Sequence, residues 1–289
     1  MLLAATDYVR PASVEEALAA LGSSAGARVL AGGQTLINVL KHRAASVALL
    51  VDVSRLEELR FIDVRADGSA TIGAASTYAE LERSAPLRDA HPLIGEVAAG
   101  TVDRQVRARG TIGGNVCFAD PASNYPPLLV ALDASMEIAG PDGRRSVPAS
   151  EFFLGTWRTA VETGELLAAI TLPPLQGAGV GYSSLQLAAD SWALARAAAW
   201  VRLGTGTPGP VEAVRVVLGC VAATPVRASA TEALLSGAPA SEAAVADAAA
   251  VAGEGLQPAS DVHASGSYRR EMAAVMAKRA LLAAIGGAR

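Results

Sequence analysis

Two glycine pairs constrain this chain more than any other feature. Gly32-Gly33 stands in the run Ala31-Gly32-Gly33-Gln34-Thr35-Leu36, directly after the apolar Val29-Leu30. Gly113-Gly114 stands in Arg107-Ala108-Arg109-Gly110-Thr111-Ile112-Gly113-Gly114-Asn115. Without a Cβ, adjacent glycines let a loop take positive φ and bring bare amide N–H groups against a ligand. Their polar neighbours, Gln34 and Thr35 in one run and Thr111 and Asn115 in the other, add amide and hydroxyl partners. The first run leads into a helix expected over residues 36–41, so a strand, loop and helix would aim amides at a pyrophosphate. Two cradles suit a dinucleotide. Neither run is a Gly-x-Gly-x-x-Gly fingerprint or a P-loop, and either pair alone also reads as a plain tight turn.

The order and spacing of the two runs resemble the FAD-binding subunit of the molybdenum hydroxylases, the xanthine dehydrogenase and carbon monoxide dehydrogenase family. The resemblance extends to Tyr8-Val9-Arg10-Pro11-Ala12-Ser13-Val14-Glu15-Glu16-Ala17-Leu18 near the start. Towards the end it includes Leu218-Gly219-Cys220-Val221-Ala222-Ala223-Thr224-Pro225-Val226-Arg227 and Tyr268-Arg269-Arg270. It implies one FAD, with its pyrophosphate held by Val29, Leu30, Ala31, Gly32, Gly33, Gln34, Thr35 and Leu36, and its ribityl region by Thr111, Gly113, Gly114 and Asn115. Asn124 stands where the family has a cofactor-binding Asp, keeping the hydrogen bonding and losing the charge. Leu167 falls where the family packs an apolar residue near the adenine, although a core leucine would look the same.

The resemblance further implies a large molybdopterin-binding subunit that hydroxylates substrate and a small subunit whose iron–sulfur clusters pass on the electrons. This chain would deliver them to an external acceptor, in a dimer of heterotrimers. One departure bears on that acceptor: Ser183, Ser184, Leu187 and Ala188 fill the segment where relatives carry Lys and Arg before an Asp-aromatic pair, here Asp190-Ser191-Trp192. A missing cation weakens the case for NAD as oxidant. A stand-alone FAD-dependent oxidoreductase on the same scaffold is the alternative, and a scaffold that has lost its flavin is a third reading.

Composition narrows the remaining classes. The chain has 289 residues, 51% of them hydrophobic, enough for two or three domain cores. Its 24 basic and 28 acidic residues give a net charge of −4, and the basic ones are scattered, which argues against a nucleic-acid partner. The opening at residues 1–5 lacks a basic n-region and no apolar run approaches a membrane span, so the expected location is cytoplasmic. Two cysteines, Cys117 and Cys220, and three isolated histidines, His42, His91 and His263, show no ligand spacing, so no metal site and no catalytic side chain are assigned.

The expected fold is α+β: a two-part FAD-binding region, a small α/β domain at 1–55 and a larger α+β domain at 56–172, then a C-terminal sheet-plus-helices domain at 177–289. Ser13 to Glu16 has capping-box spacing and opens a helix through Leu21, and residues 28–30 and 47–52 read as buried strands. A hairpin is expected at 59–64 and 70–74 around Asp67-Gly68, a helix capped by Thr77, a helix at 125–132 and a strand at 165–172 ended by Pro173-Pro174. Strands at 180–187, 192–203 and 211–218, the middle pair of ends joined by a Gly/Pro turn at 204–210, precede helices at 231–235, 241–252 and 268–285.

Overall fold

The computed structural model describes residues 3–101, 103–189, 191–206 and 209–288. Asp190 of the Asp-aromatic pair, Thr207 and Pro208 of the Gly/Pro turn, and Met1 and Leu2 of the opening lie outside the described residues. The fold is mixed α+β and divides into two compact units, residues 1–118 with 135–172, and residues 119–134 with 173–289.

The first unit holds two sheets. Strands β1 (Asp7–Val9), β2 (Ala27–Leu30) and β3 (Leu49–Asp52) form a parallel sheet in the order β1-β3-β2. Helix α1 (Val14–Gly22) buries Val14, Ala17 and Leu21 at helical spacing against it. Ser13 caps it by accepting from the Glu16 amide (3.1 Å), while the Glu16 carboxylate accepts from Ala12. Helix α2 (Leu36–Lys41) follows the first glycine pair, over the residues the pattern marks.

Strands β4 (Ile62–Val64) and β5 (Ala70–Gly73) are the expected hairpin. After it come α3 (Tyr78–Arg83), α4 (Ala85–Ala90), α5 (Pro92–Ala99), α6 (Arg104–Arg109) and α7 (Ile112–Phe118). The chain then passes through α8 (Tyr125–Ala131), in the other unit, and returns as β6 (Ser135–Gly140) and β7 (Gly143–Pro148). This second hairpin is absent from the sequence reading. Its signals are alternation that buries Met136 and Ile138, and a Pro-Asp-Gly turn with Gly143 at φ +116°. Helix α9 (Ala149–Phe152), the short pair β8 (Phe153–Gly155) and β9 (Arg158–Thr159), and β10 (Leu166–Leu172) complete the unit. Strand β10 is central in the antiparallel order β4-β5-β10-β6-β7, which is why it reads as an unbroken apolar run.

The second unit is a meander, β11 (Gly179–Gln186), β12 (Ala193–Leu203), β13 (Val211–Gly219) and β14 (Val226–Arg227), in sequential antiparallel order. Helices α10 (Ser229–Leu235), α11 (Glu242–Ala250) and the 22-residue α12 (Gly266–Gly287) follow. Ala195, Ala197 and Ala199 of β12 share a core with Ala273, Ala277, Ala280 and Ala284 of α12. Small residues on both sides let helix and sheet backbones approach closely. A Cβ at Gly179 or Gly181 would lie 1.8 or 1.9 Å from the carbonyl oxygens of Ala284 and Ala280.

Candidate functional site

The two glycine runs meet in the first unit, through Gly32 and Arg109, 77 positions apart. A Cβ at Gly32 would lie 2.0 Å from the Arg109 carbonyl oxygen and 2.9 Å from the Gly110 Cα, so glycine is the one residue that permits this approach. Arg109 Nε reaches the Gly32 carbonyl at 3.5 Å.

The runs differ in what they offer. Gly33 has φ +72°, as the pattern predicts, and turns β2 into α2. Among the described residues nothing accepts from the amides of Gly33, Gln34 or Thr35. Thr35 stands at the N-cap of α2 without using its hydroxyl as a cap, and Gln34 Nε2 donates to the Gly32 carbonyl (3.2 Å). Open amides with a free hydroxyl suit phosphate oxygens. Ala31 and Val29 pack partly into the core beneath, and Leu30 and Leu36 join a small cluster with Leu40, Val47 and Leu50.

The second run corrects the expectation of an open loop. It is a break of two residues between α6 and α7, and neither Gly113 nor Gly114 has positive φ. Their amides are occupied: Gly113 donates to the Ala74 carbonyl (2.9 Å) and Gly114 to Thr111 Oγ1 (3.0 Å), while Asn115 donates to the Thr111 carbonyl (3.1 Å). Gly113 is needed because a Cβ there would lie 2.5 Å from the Ala74 carbonyl oxygen. The segment presents side chains and the exposed Cα face of Gly114 in place of bare amides.

A brace of residues 76–80 fixes this segment. Tyr78 donates its amide to the Gly110 carbonyl (2.9 Å) and Ile112 donates to Ser76 (3.1 Å), forming a bridge between Thr77 and Thr111. Thr77 and Glu80 make a full capping box. Burial works against the Glu80 carboxylate, but hydrogen bonds from Thr77 and Arg60 hold it below its usual range. Arg107, in the basic lead-in, is committed to Glu82 (3.2 Å) and to the Thr101 carbonyl (3.2 Å), which makes it structural.

Leu167 is buried in β10 opposite Ile138, at a register shift between Leu167 and Ala169. The Ala168 carbonyl at this bulge accepts from Ala74, whose own carbonyl accepts from Gly113, so the irregular strand leads to the second run. Asn124 lies in the other unit, at the N-terminus of α8. Its Oδ1 accepts from Arg196 Nη1 and its carbonyl from the Tyr182 hydroxyl (3.1 Å).

Arg196 is a residue the sequence reading passes over. It is buried, pairs in register with Ser184, lies over the Tyr182 ring, and its Nε has no partner among the described residues. The segment that lacks Lys and Arg on β11 thus has a cation on the neighbouring strand, already engaged by Asn124.

Among the described residues no group of three or more His, Cys, Asp or Glu is arranged to hold a metal, and no helix is long and apolar enough to cross a membrane. Desolvation pushes the thiol of the partly buried Cys117 up to about 12, and His91, held by the Gly68 carbonyl (3.0 Å), is lowered by burial. His42 and His263 are exposed.

Residues 4–175 match the FAD-binding domain of molybdopterin dehydrogenases, and residues 181–284 match the C-terminal domain of carbon monoxide dehydrogenase flavoproteins. The chain belongs to the molybdopterin dehydrogenase flavoprotein family. It is 38% identical over 281 residues to the carbon monoxide dehydrogenase medium chain of Hydrogenophaga pseudoflava, covering 96% of each. It is 35% identical to the glyceraldehyde dehydrogenase medium chain of Sulfolobus acidocaldarius, covering 94% of this chain and 96% of that one. A solved structure of the H. pseudoflava carbon monoxide dehydrogenase, lacking the Mo-pyranopterin moiety of its molybdenum cofactor, matches over 100% of both chains with a TM-score of 0.95. These residues fit FAD, since the open amides at Gly33 to Thr35 and the glycine-sized gap at Gly32 suit a phosphate-bearing dinucleotide.

Proposed function

We propose that this chain is the FAD-bearing subunit of a molybdopterin-dependent dehydrogenase or hydroxylase, taking electrons from iron–sulfur clusters of a small partner and passing them to an external acceptor. The observation that carries the reading is the contact of the two glycine runs at Gly32 and Arg109-Gly110, which brings their polar groups together. Gly33, Gln34 and Thr35 bind the pyrophosphate through amides and a hydroxyl, Val29, Leu30, Ala31 and Leu36 support them, and Thr111, Gly113, Gly114 and Asn115 hold the ribityl region. Leu167 contributes from the adenine side, and Asn124 is the family's Asp position held by Arg196. FAD supplies the redox chemistry when bound, and the protein supplies binding, orientation and electrostatics. In this reading residues 1–55 and 56–172 are the two FAD-binding subdomains and residues 177–289 the C-terminal domain of the subunit.

The partners we infer are a large molybdopterin subunit and a small iron–sulfur subunit, in a heterotrimer that pairs into a dimer of heterotrimers in the cytoplasm. Support comes from the medium-chain relatives, whose lengths this chain matches almost completely. The test is to express the tagged chain with its neighbouring reading frames and analyse what co-purifies. Equimolar large and small chains with FAD, molybdenum and iron are expected. A yellow chain that turns over substrate without partners would replace this reading with a stand-alone flavoenzyme, and a colourless one would remove the flavin.

A further inference from the structure

We propose that Tyr78 is a positioning residue of the flavin site, its ring packed over Gly110 and its hydroxyl holding the Asn115 carboxamide at the second cradle. The inference rests on the FAD reading above and adds a residue to it.

Three contacts place Tyr78 there. Its amide donates to the Gly110 carbonyl (2.9 Å). Its ring is buried so close to Gly110 that a Cβ at that position would lie 3.0 Å from one ring carbon and 3.3 Å from another. Its side chain hydrogen-bonds that of Asn115, in the first turn of α7. Glycine at 110 is thus the space that Tyr78 fills, and backbone, ring and hydroxyl all act on the run from 110 to 115.

A carboxamide presents an acceptor at one end and two donors at the other, and a binding role depends on which end faces the ligand. Burial opposes ionisation of the phenol and pushes the hydroxyl up to about 12, outweighing the opposite effect of the Asn115 hydrogen bond. Tyr78 therefore stays neutral at physiological pH. Its hydrogen bond to Asn115 restrains the plane of the carboxamide. A neutral phenol does this without placing a negative charge beside a phosphate-bearing cofactor.

The test uses the full chain stripped of flavin and titrated with FAD, reading flavin fluorescence and the fine structure of the visible band. Tyr78→Phe keeps the ring over Gly110 and removes the oxygen alone. It is expected to raise the FAD Kd about five- to tenfold, as one lost hydrogen bond does. The apo protein should melt close to wild type. Asn115→Ala should weaken binding by a similar or larger factor, and adding Tyr78→Phe to it should cost nothing more. Wild-type affinity in Tyr78→Phe, or an undiminished penalty in the Asn115→Ala background, would show that Tyr78 does not act through Asn115. If Asn115→Ala binds like wild type, Asn115 is not a ligand and the proposal falls with it. If wild type itself binds no FAD, the functional reading fails first.

Discussion

At the residue scale, the four glycines of the two pairs meet different physical demands. Gly33 needs positive φ, Gly32 and Gly113 need the absence of a Cβ against carbonyl oxygens, and Gly114 is exposed with only Thr111 Oγ1 near the missing atom, at 2.9 Å. Gly33→Asp and Gly114→Asp each set a carboxylate beside the phosphate-bearing cofactor and are expected to weaken FAD by at least about tenfold. The visible flavin band relative to protein absorbance reads this directly, and a fully yellow Gly33→Asp would undo the first cradle. Gly32→Ala should also lose flavin, but by driving the runs apart. FAD should be released intact by acid precipitation, because neither run holds a His or Cys, and the Cys117 thiol that follows α7's glycines stays protonated. Flavin left covalently on the precipitate would contradict this.

At the scale of elements, the brace of α3 and the contact of α12 with β11 are the testable supports. Thr77→Ala removes a capping box and should cost about 1 kcal/mol, about 2–4 °C in Tm. Glu80 has a folded pKa below its unfolded one, so its contribution is complete above the ordinary glutamate range near pH 4.5 and is lost as pH falls through the folded value. Acid should therefore soften the protein below about pH 4.5, and Glu80→Gln should flatten that part of the profile. An unchanged acid limb in the variant would assign the loss to other carboxylates. Gly181→Val forces a branched side chain against the Ala280 carbonyl and should destabilise by about 3 kcal/mol or prevent soluble expression. Denaturant midpoints decide it. The helix and strand periods made α1, α2, α3 and β10 legible, whereas α4 to α7 are short and follow one another without long loops, so no period has room to repeat.

For the whole molecule, the acceptor is the question that charge addresses. Ser183, Ser184, Leu187 and Ala188 fill the segment where the family resemblance leads one to expect Lys and Arg, and without such cations NAD would lose both an anchoring charge and stabilisation of reduced flavin. Arg196 opposite Ser184 does not restore these, because its guanidinium is buried and bound to Asn124. NAD is therefore expected to be a poor oxidant, and a quinone, a carrier protein or oxygen a better one. The complete complex reduced anaerobically with substrate should be reoxidised rapidly by an artificial quinone and slowly by NAD. Reoxidation by NAD at the rate of steady-state turnover would require a cation from Arg109, Arg196 or a partner chain.

The sequence alone identified the family and its cofactor class, through the resemblance of four blocks spread along the chain, whereas each glycine pair by itself also reads as a tight turn. It also marked the α+β order and most strands, since burial on one face or two imposes its period locally. Tertiary structure decided the rest. That Gly32 abuts Arg109, that the amides of Gly113 and Gly114 are already satisfied, and that residues 119–134 join the second unit all depend on segments far apart in the chain. Tyr78 and Arg196 were invisible for the same reason: one reads as a helix-start aromatic and the other as a scattered basic residue, until folding sets them against Asn115 and Asn124.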